Sequence, residues 1–134
     1  MGDVPFASLN PCTLLDQALK DEGYPAAVPS SADPKHTCDL NKPSYGGVGL
    51  QLQAGRKYEE NLGDPSKART GDVNGRQAVQ VKGRLGSKGA CEIFMDVKSS
   101  SRAIVVVTLV SRNTDEACTY AGQEATKIEP LLPK

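Results

Sequence analysis

The chain has 134 residues, with 16 Lys and Arg against 16 Asp and Glu, one His and four Cys. That length fits one domain with a real core. A formal charge of zero argues against a nucleic-acid partner and against an electrostatic membrane-surface binder, and one His cannot build a His-rich metal site.

In chain order, residues 1–10 read as a short extended lead to a single globular domain spanning 11–134. Asn10 is a good N-cap, Pro11 suits the first helical position, and Leu14, Leu15, Ala18 and Leu19 share one helical face. With Gly23 as terminator, these residues predict a helix over 11–22. Residues 23–46 are rich in Pro, Ser, Asn and Asp, which is loop chemistry, broken by a short strand over 37–40. Val48, Leu50 and Leu52 alternate with polar or small residues and predict a half-buried strand, as do Gln77, Val79 and Val81 after an Asp72–Gly75 turn. Arg56–Leu62 reads as one or two helical turns ending at Gly63-Asp64-Pro65.

Cys91, Ile93, Met95 and Val97 alternate with Glu92, Phe94 and Asp96, which predicts the next strand. Lys98–Arg102 is a polar, Ser-rich turn. Ala103–Val110 is nearly all apolar and β-branched, the pattern of a strand covered on both faces and central in its sheet. A last helix is expected over 115–128, capped by Thr114, with Asp115 and Glu116 in its first turn and Cys118, Ala121, Ala125 and Ile128 inward. The predicted fold is α+β: an antiparallel sheet of about five strands with a helix at each end of the chain packed on it, in the order α-β-β-β-β-β-α.

The cysteines at 12, 38, 91 and 118 are separated by 26, 53 and 27 residues. Zinc sites favour close Cys pairs, and none is present, so a metal site is the least favoured reading and free thiols the next; an even count at wide spacing favours two disulfides and an oxidising compartment. Three connectivities are possible. The element positions favour Cys12–Cys38 and Cys91–Cys118, each stapling a helix to the sheet. No apolar signal region opens the chain and no apolar run is long enough to span a bilayer. A secreted chain without its signal reads as a trimmed mature domain with Met1 as an added start.

Asn10-Pro11-Cys12-Thr13-Leu14-Leu15 resembles the "D-P-C-x-L-L" opening of a family of actinobacterial cell-envelope lipoproteins whose mature domain is of unknown function. The likeness continues through Thr37-Cys38, Asn74-Gly75-Arg76-Gln77-Ala78, Ala90-Cys91-Glu92-Ile93, Asp115-Glu116-Ala117-Cys118 and the closing Leu131-Leu132-Pro133. It covers nearly the whole chain through short motifs, with Asn10 where the family more often has Asp. The resemblance implies export, a lipidated N-terminal Cys upstream of this sequence and attachment to the outer face of the membrane. It supplies no catalytic residues.

The chemistry-bearing residues mostly have plain explanations. His36 reads as a loop His beside a disulfide, Ser99-Ser100-Ser101 as a hairpin tip, and Gly46-Gly47-Val48-Gly49 as a turn running into a strand, since no Lys-Ser/Thr pair and helix follow. Glu59, Glu60, Asp64 and Asp72 read as a solvated face, without the alternating spacing of a calcium loop. Arg56, Lys57, Lys67 and Arg69 give the middle loop a basic bias balanced by nearby acids. Among Tyr24, Tyr45, Tyr58 and Tyr120, Tyr45 and Tyr58 are the candidate binding surface, because amphipathic rings anchor interfaces.

No catalytic, cofactor or metal residues are assigned. The expected function is a non-enzymatic, surface-anchored extracellular binding or interaction module, monomeric, with an envelope protein or small ligand as partner. The alternatives are a secreted inhibitor or immunity-type protein using a protruding Gly55–Val73 loop, a lipid or small-ligand carrier, and an enzyme built on carboxylates with His36.

Overall fold

A computed structural model describes residues 5–60, 62, 65–83, 86–98 and 100–134. Met1–Val4, Gly63, Asp64 and Ser99, which figure in the reading above, lie outside the described residues. The described chain is α+β, with two helices, α1 (Pro11–Ala18) and α2 (Thr114–Ile128). The strands are β1 (Val28–Pro29), β2 (Thr37–Lys42), β3 (Gly46–Gln53), β4 (Ala68–Val73), β5 (Arg76–Lys82), β6 (Ala90–Val97) and β7 (Ser101–Leu109). They form one antiparallel sheet in the order β1-β2-β3-β7-β6-β5-β4. The apolar β7 is its central strand, as its composition predicts.

Seven strands replace the expected five. The two extra ones are the sheet's edges, and edges are where the alternation signal is weakest. β1 is two residues long and contains a Pro, and β4 exposes Arg69, Thr70, Gly71 and Asp72 in a row. Three other boundaries moved for local reasons. α1 stops at Ala18, with Leu19 as its C-cap. Asn113 caps α2 by accepting from the Glu116 N–H, which releases Thr114 to accept from Gly89 N–H at 3.0 Å. The helical turns expected over 56–62 are absent among the described residues, which form turns over 58–60.

Both helices cover one face of the sheet. There Leu14, Leu15 and Leu19 of the α1 segment and Ala117, Ala121, Ala125 and Ile128 of α2 meet Leu50, Val105, Val107 and Met95. The small residues of α2 let that helix lie close to β6 and β7. Where an extended lead was expected, residues 5–8 form turns, and Phe6 is 3% exposed within the same core. The opposite face carries a smaller cluster of Leu62, Val79, Val81, Phe94 and Ile104.

Two disulfides join Cys12 to Cys38 and Cys91 to Cys118, with Cα–Cα distances of 5.1 and 5.0 Å. The first ties α1 to β2 and the second ties β6 to α2. Each helix is thereby fastened to the sheet it covers.

Candidate functional site

The β2–β3 hairpin sets the site. Its turn brings Tyr45 N–H to the Lys42 carbonyl at 3.0 Å, and the Val110 N–H reaches back to the Tyr45 carbonyl at 2.9 Å. Gly46 follows at φ +153°, where a Cβ would stand 2.3 Å from the Thr108 carbonyl oxygen. Only glycine fits there, so the glycine string serves backbone contact. It places Tyr45 at the rim between the sheet and the helices.

Three tyrosines meet at this rim. The Tyr45 ring stands edge-on to Tyr120 of α2, with centroids 5.7 Å apart. The Tyr24 and Tyr120 hydroxyls lie 2.5 Å apart. Lys42 Nζ sits 4.6 Å from the Tyr24 ring centroid and 5.6 Å from that of Tyr45, while donating to the Glu22 carbonyl at 2.7 Å. All three rings are half-buried, packed in part against their neighbours and in part exposed to solvent.

Beneath the rings lies a carboxylate pair. Tyr120 Oη donates to Glu22 Oε1 at 2.7 Å, and Lys127 Nζ pairs with Glu22 Oε2. Glu124 of α2, 1% exposed, faces the Glu22 carboxyl, and its Oε2 is buried without a hydrogen-bond partner. Burial first, then interaction with Glu22, push the Glu124 pKa up to about 8, so at neutral pH it holds a proton. Burial also raises Glu22, but interactions with Lys127, Tyr120 and Glu124 outweigh it and hold that carboxyl below its ordinary value. The three phenols are raised, chiefly by burial, and remain neutral donors at physiological pH. The cluster is a polar network of neutral hydroxyls around one carboxylate charge compensated by Lys127.

Glu124 is the member that the sequence reading missed. It stands between Ala121 and Ile128 on the stripe that turns inward, beside Ala125. An acid at helical spacing within an apolar face is the signal that would have found it.

The two candidate surface tyrosines do not meet. Tyr45 packs against the helix-side core, whereas Tyr58 packs against the cluster on the opposite face and donates to Gln77 Oε1 at 3.1 Å. His36 pairs its Nδ1 with Asp33 Oδ1 at 3.0 Å, as a partly exposed loop His does. Glu60 accepts from the Lys57 N–H and Asp72 from the Gly75 N–H, so each serves its own turn. Among the described residues no group of three or more His, Cys, Asp or Glu side chains could hold a metal ion.

The described residues of segment 55–73, a protruding loop in the inhibitor alternative, are held down at both ends. Arg102 lies in β7 at 3% exposure, not in the preceding turn, and its guanidinium sits 4.9 Å from the Phe94 ring centroid. It donates to Gln53 Oε1 at 2.7 Å and to the carbonyls of Lys57 and Glu60. Residues 68–73 of that segment are β4. At the same end of the sheet, Arg76 donates to the carbonyl of Asp96, the register partner of Arg102, and its buried pair with Glu129 at 2.9 Å fixes the C-terminal residues, with a further bond to the Pro133 carbonyl at 3.0 Å.

No helix among the described residues is long and apolar enough to cross a membrane. No protein-family model matches the chain, and no curated protein or solved structure matches it significantly.

Proposed function

We propose that this chain is the mature domain of a surface-anchored lipoprotein of the actinobacterial cell-envelope type it resembles, working outside the membrane as a non-enzymatic binding module. The observation that carries the binding role is the convergence of Tyr24, Tyr45 and Tyr120 with Lys42 at one half-buried rim. Rings held by packing lose little conformational entropy on binding, and tyrosines paired with a cation are typical interface anchors. The two disulfides support export, because such bonds persist in oxidising compartments. They also give the rim a rigid base, since Cys12–Cys38 fixes β2 and Cys91–Cys118 fixes α2, the elements that present Lys42 and Tyr120. The partner in this reading is an envelope protein, and the domain acts as a monomer.

Immobilised domain with its disulfides intact tests the reading against an envelope extract. Recovery of one saturable, stoichiometric partner by the natural chain, with recovery reduced at least about tenfold by Tyr45→Ala, supports it. Equal recovery by a folded Tyr45→Ala, checked by circular dichroism, removes the rim from the interface.

A further inference from the structure

A second place on the molecule has a different chemistry. The chain as a whole is neutral, yet residues 65–91 carry Lys67, Arg69, Arg76, Lys82, Arg84 and Lys88 against one acid, Asp72. Arg76 is spent on Glu129. The β4–β5 register places Arg69 opposite Gln80, and Gln80 stands opposite Ile93 of the helix-side core. Side chains in such a row share a face, so this row points to the helix side, beside the start of α2. An open surface cleft of about 520 Å³ is walled by Lys67, Arg69, Lys82 and Lys88.

We propose that this cleft is a binding site for a phosphate dianion, free or as a monoester. The charge count favours that ligand. Of the four cations, Lys82 is paired with Asp115 at 2.8 Å, and Asp115 is largely exposed. Lys67 donates to the Gly83 carbonyl, and among the described residues no ion pair engages Arg69 or Lys88, whose two charges match those of a phosphate monoester. Asp115 and Glu116 already occupy the first turn of α2, so the attraction comes from these side chains and not from the helix dipole.

The rest of the lining is polar. Ser66, Gln80, Ser87 and Thr114 supply hydroxyl and amide groups around the cations. A volume of about 520 Å³ exceeds a bare phosphate ion and leaves room for a hydroxylated group carrying it. The walls are fixed beforehand: Gly83 N–H bonds the Ala90 carbonyl at 2.9 Å, Lys67 Nζ bonds the Gly83 carbonyl at 3.3 Å, and Gly89 N–H bonds Thr114 Oγ1 at 3.0 Å. The last of these holds the residue next to Lys88 against α2.

Titration of the intact, disulfide-bonded domain by calorimetry and amide NMR tests the site with four probes: inorganic phosphate, glycerol 3-phosphate, glycerol, and vesicles containing phosphatidic acid. Saturable binding of glycerol 3-phosphate, with shifts confined to residues lining the cleft and no response to glycerol, supports the proposal. Binding is expected to weaken at least about fivefold with Arg69→Gln or Lys88→Gln and to vanish in the double variant. Equal affinity for inorganic phosphate identifies the free ion as the source, and tighter binding of the ester identifies a carried phosphate. Tyr45→Ala leaves this binding unchanged, which separates the cleft from the tyrosine rim. Absence of saturable binding to either soluble phosphate, binding that survives the double variant, or attachment to vesicles alone overturns the proposal.

Discussion

Tyr120 on α2 donates a hydrogen bond to the carboxylate of Glu22, 98 residues earlier in the chain, at 2.7 Å. This contact joins the turn after α1 to α2 and passes through the layer that also holds Tyr24, Tyr45 and Lys42. The rim is therefore a tertiary product: its members come from three separate segments, and the hydrogen bonds among them are the means by which it holds one shape.

Removing the Tyr120 hydroxyl tests that link. Tyr120→Phe keeps the ring against Tyr45 but leaves the Tyr24 hydroxyl and the Glu22 carboxylate one partner short. The expected loss of stability is about 1–2 kcal/mol by urea denaturation, with the far-ultraviolet spectrum unchanged.

Glu124 makes stability depend on pH. Its folded pKa of about 8 lies above its ordinary 4.5, so the folded state binds this proton more tightly than the unfolded chain does. The stability it contributes is fully present below about pH 4.5 and is lost as pH rises through about 8. Glu22, lowered, works in the opposite sense, and its share is lost as pH falls through its folded pKa. Glu124→Gln keeps a neutral side chain of the same size and removes the ionisation. It is expected to flatten the decline between pH 5 and 8 and to gain on the order of 2 kcal/mol over the natural chain at pH 8. Parallel curves for the two proteins would show that Glu124 does not titrate in this window.

The second disulfide closes a loop between residues 27 apart. Replacing Cys91 and Cys118 together with Ala is expected to cost roughly 3.5 kcal/mol by the chain-entropy argument. In a domain of this size the loss corresponds to a Tm lower by roughly 10–20 °C.

Gly89 and Gly71 make a matched pair. Gly89 has φ +77°, and a Cβ there would lie 2.5 Å from Arg112 Cα and 2.8 Å from the Leu109 carbonyl oxygen, both backbone atoms. Gly89→Ala is expected to cost more than about 2 kcal/mol and to displace the loop that carries Lys88. A Cβ at Gly71 meets nothing within 4 Å, and Gly71→Ala is expected to change stability by less than about 0.5 kcal/mol in thermal denaturation.

What could be read from the residues alone follows from how local each signal is. Alternation in Cys91–Val97 and the β-branched run in β7 depend on neighbouring positions, and both became strands at the expected places. The cysteine pairing followed because each Cys sat on an element whose inward face was already legible. β4 was missed because an edge strand needs no apolar alternation, and Asn113 displaced Thr114 as the cap because both side chains can do that work. Tyr45 stood out beside its glycines, but nothing near it in the chain announces Tyr24 or Tyr120. Likewise the basic cleft emerges only when β4 pairs with β5 and α2 closes its end.

Photo-crosslinking from position 45 on intact cells tests the central claim most directly. The full-length protein carries a benzophenone side chain in place of Tyr45, or in place of the exposed Val28 on edge strand β1 as a control. A discrete adduct with one envelope protein, formed from position 45 and absent from position 28, is the predicted result. Equal labelling from both positions, or no adduct from position 45 in protein that reaches the cell surface, would contradict the reading of this rim as a binding face.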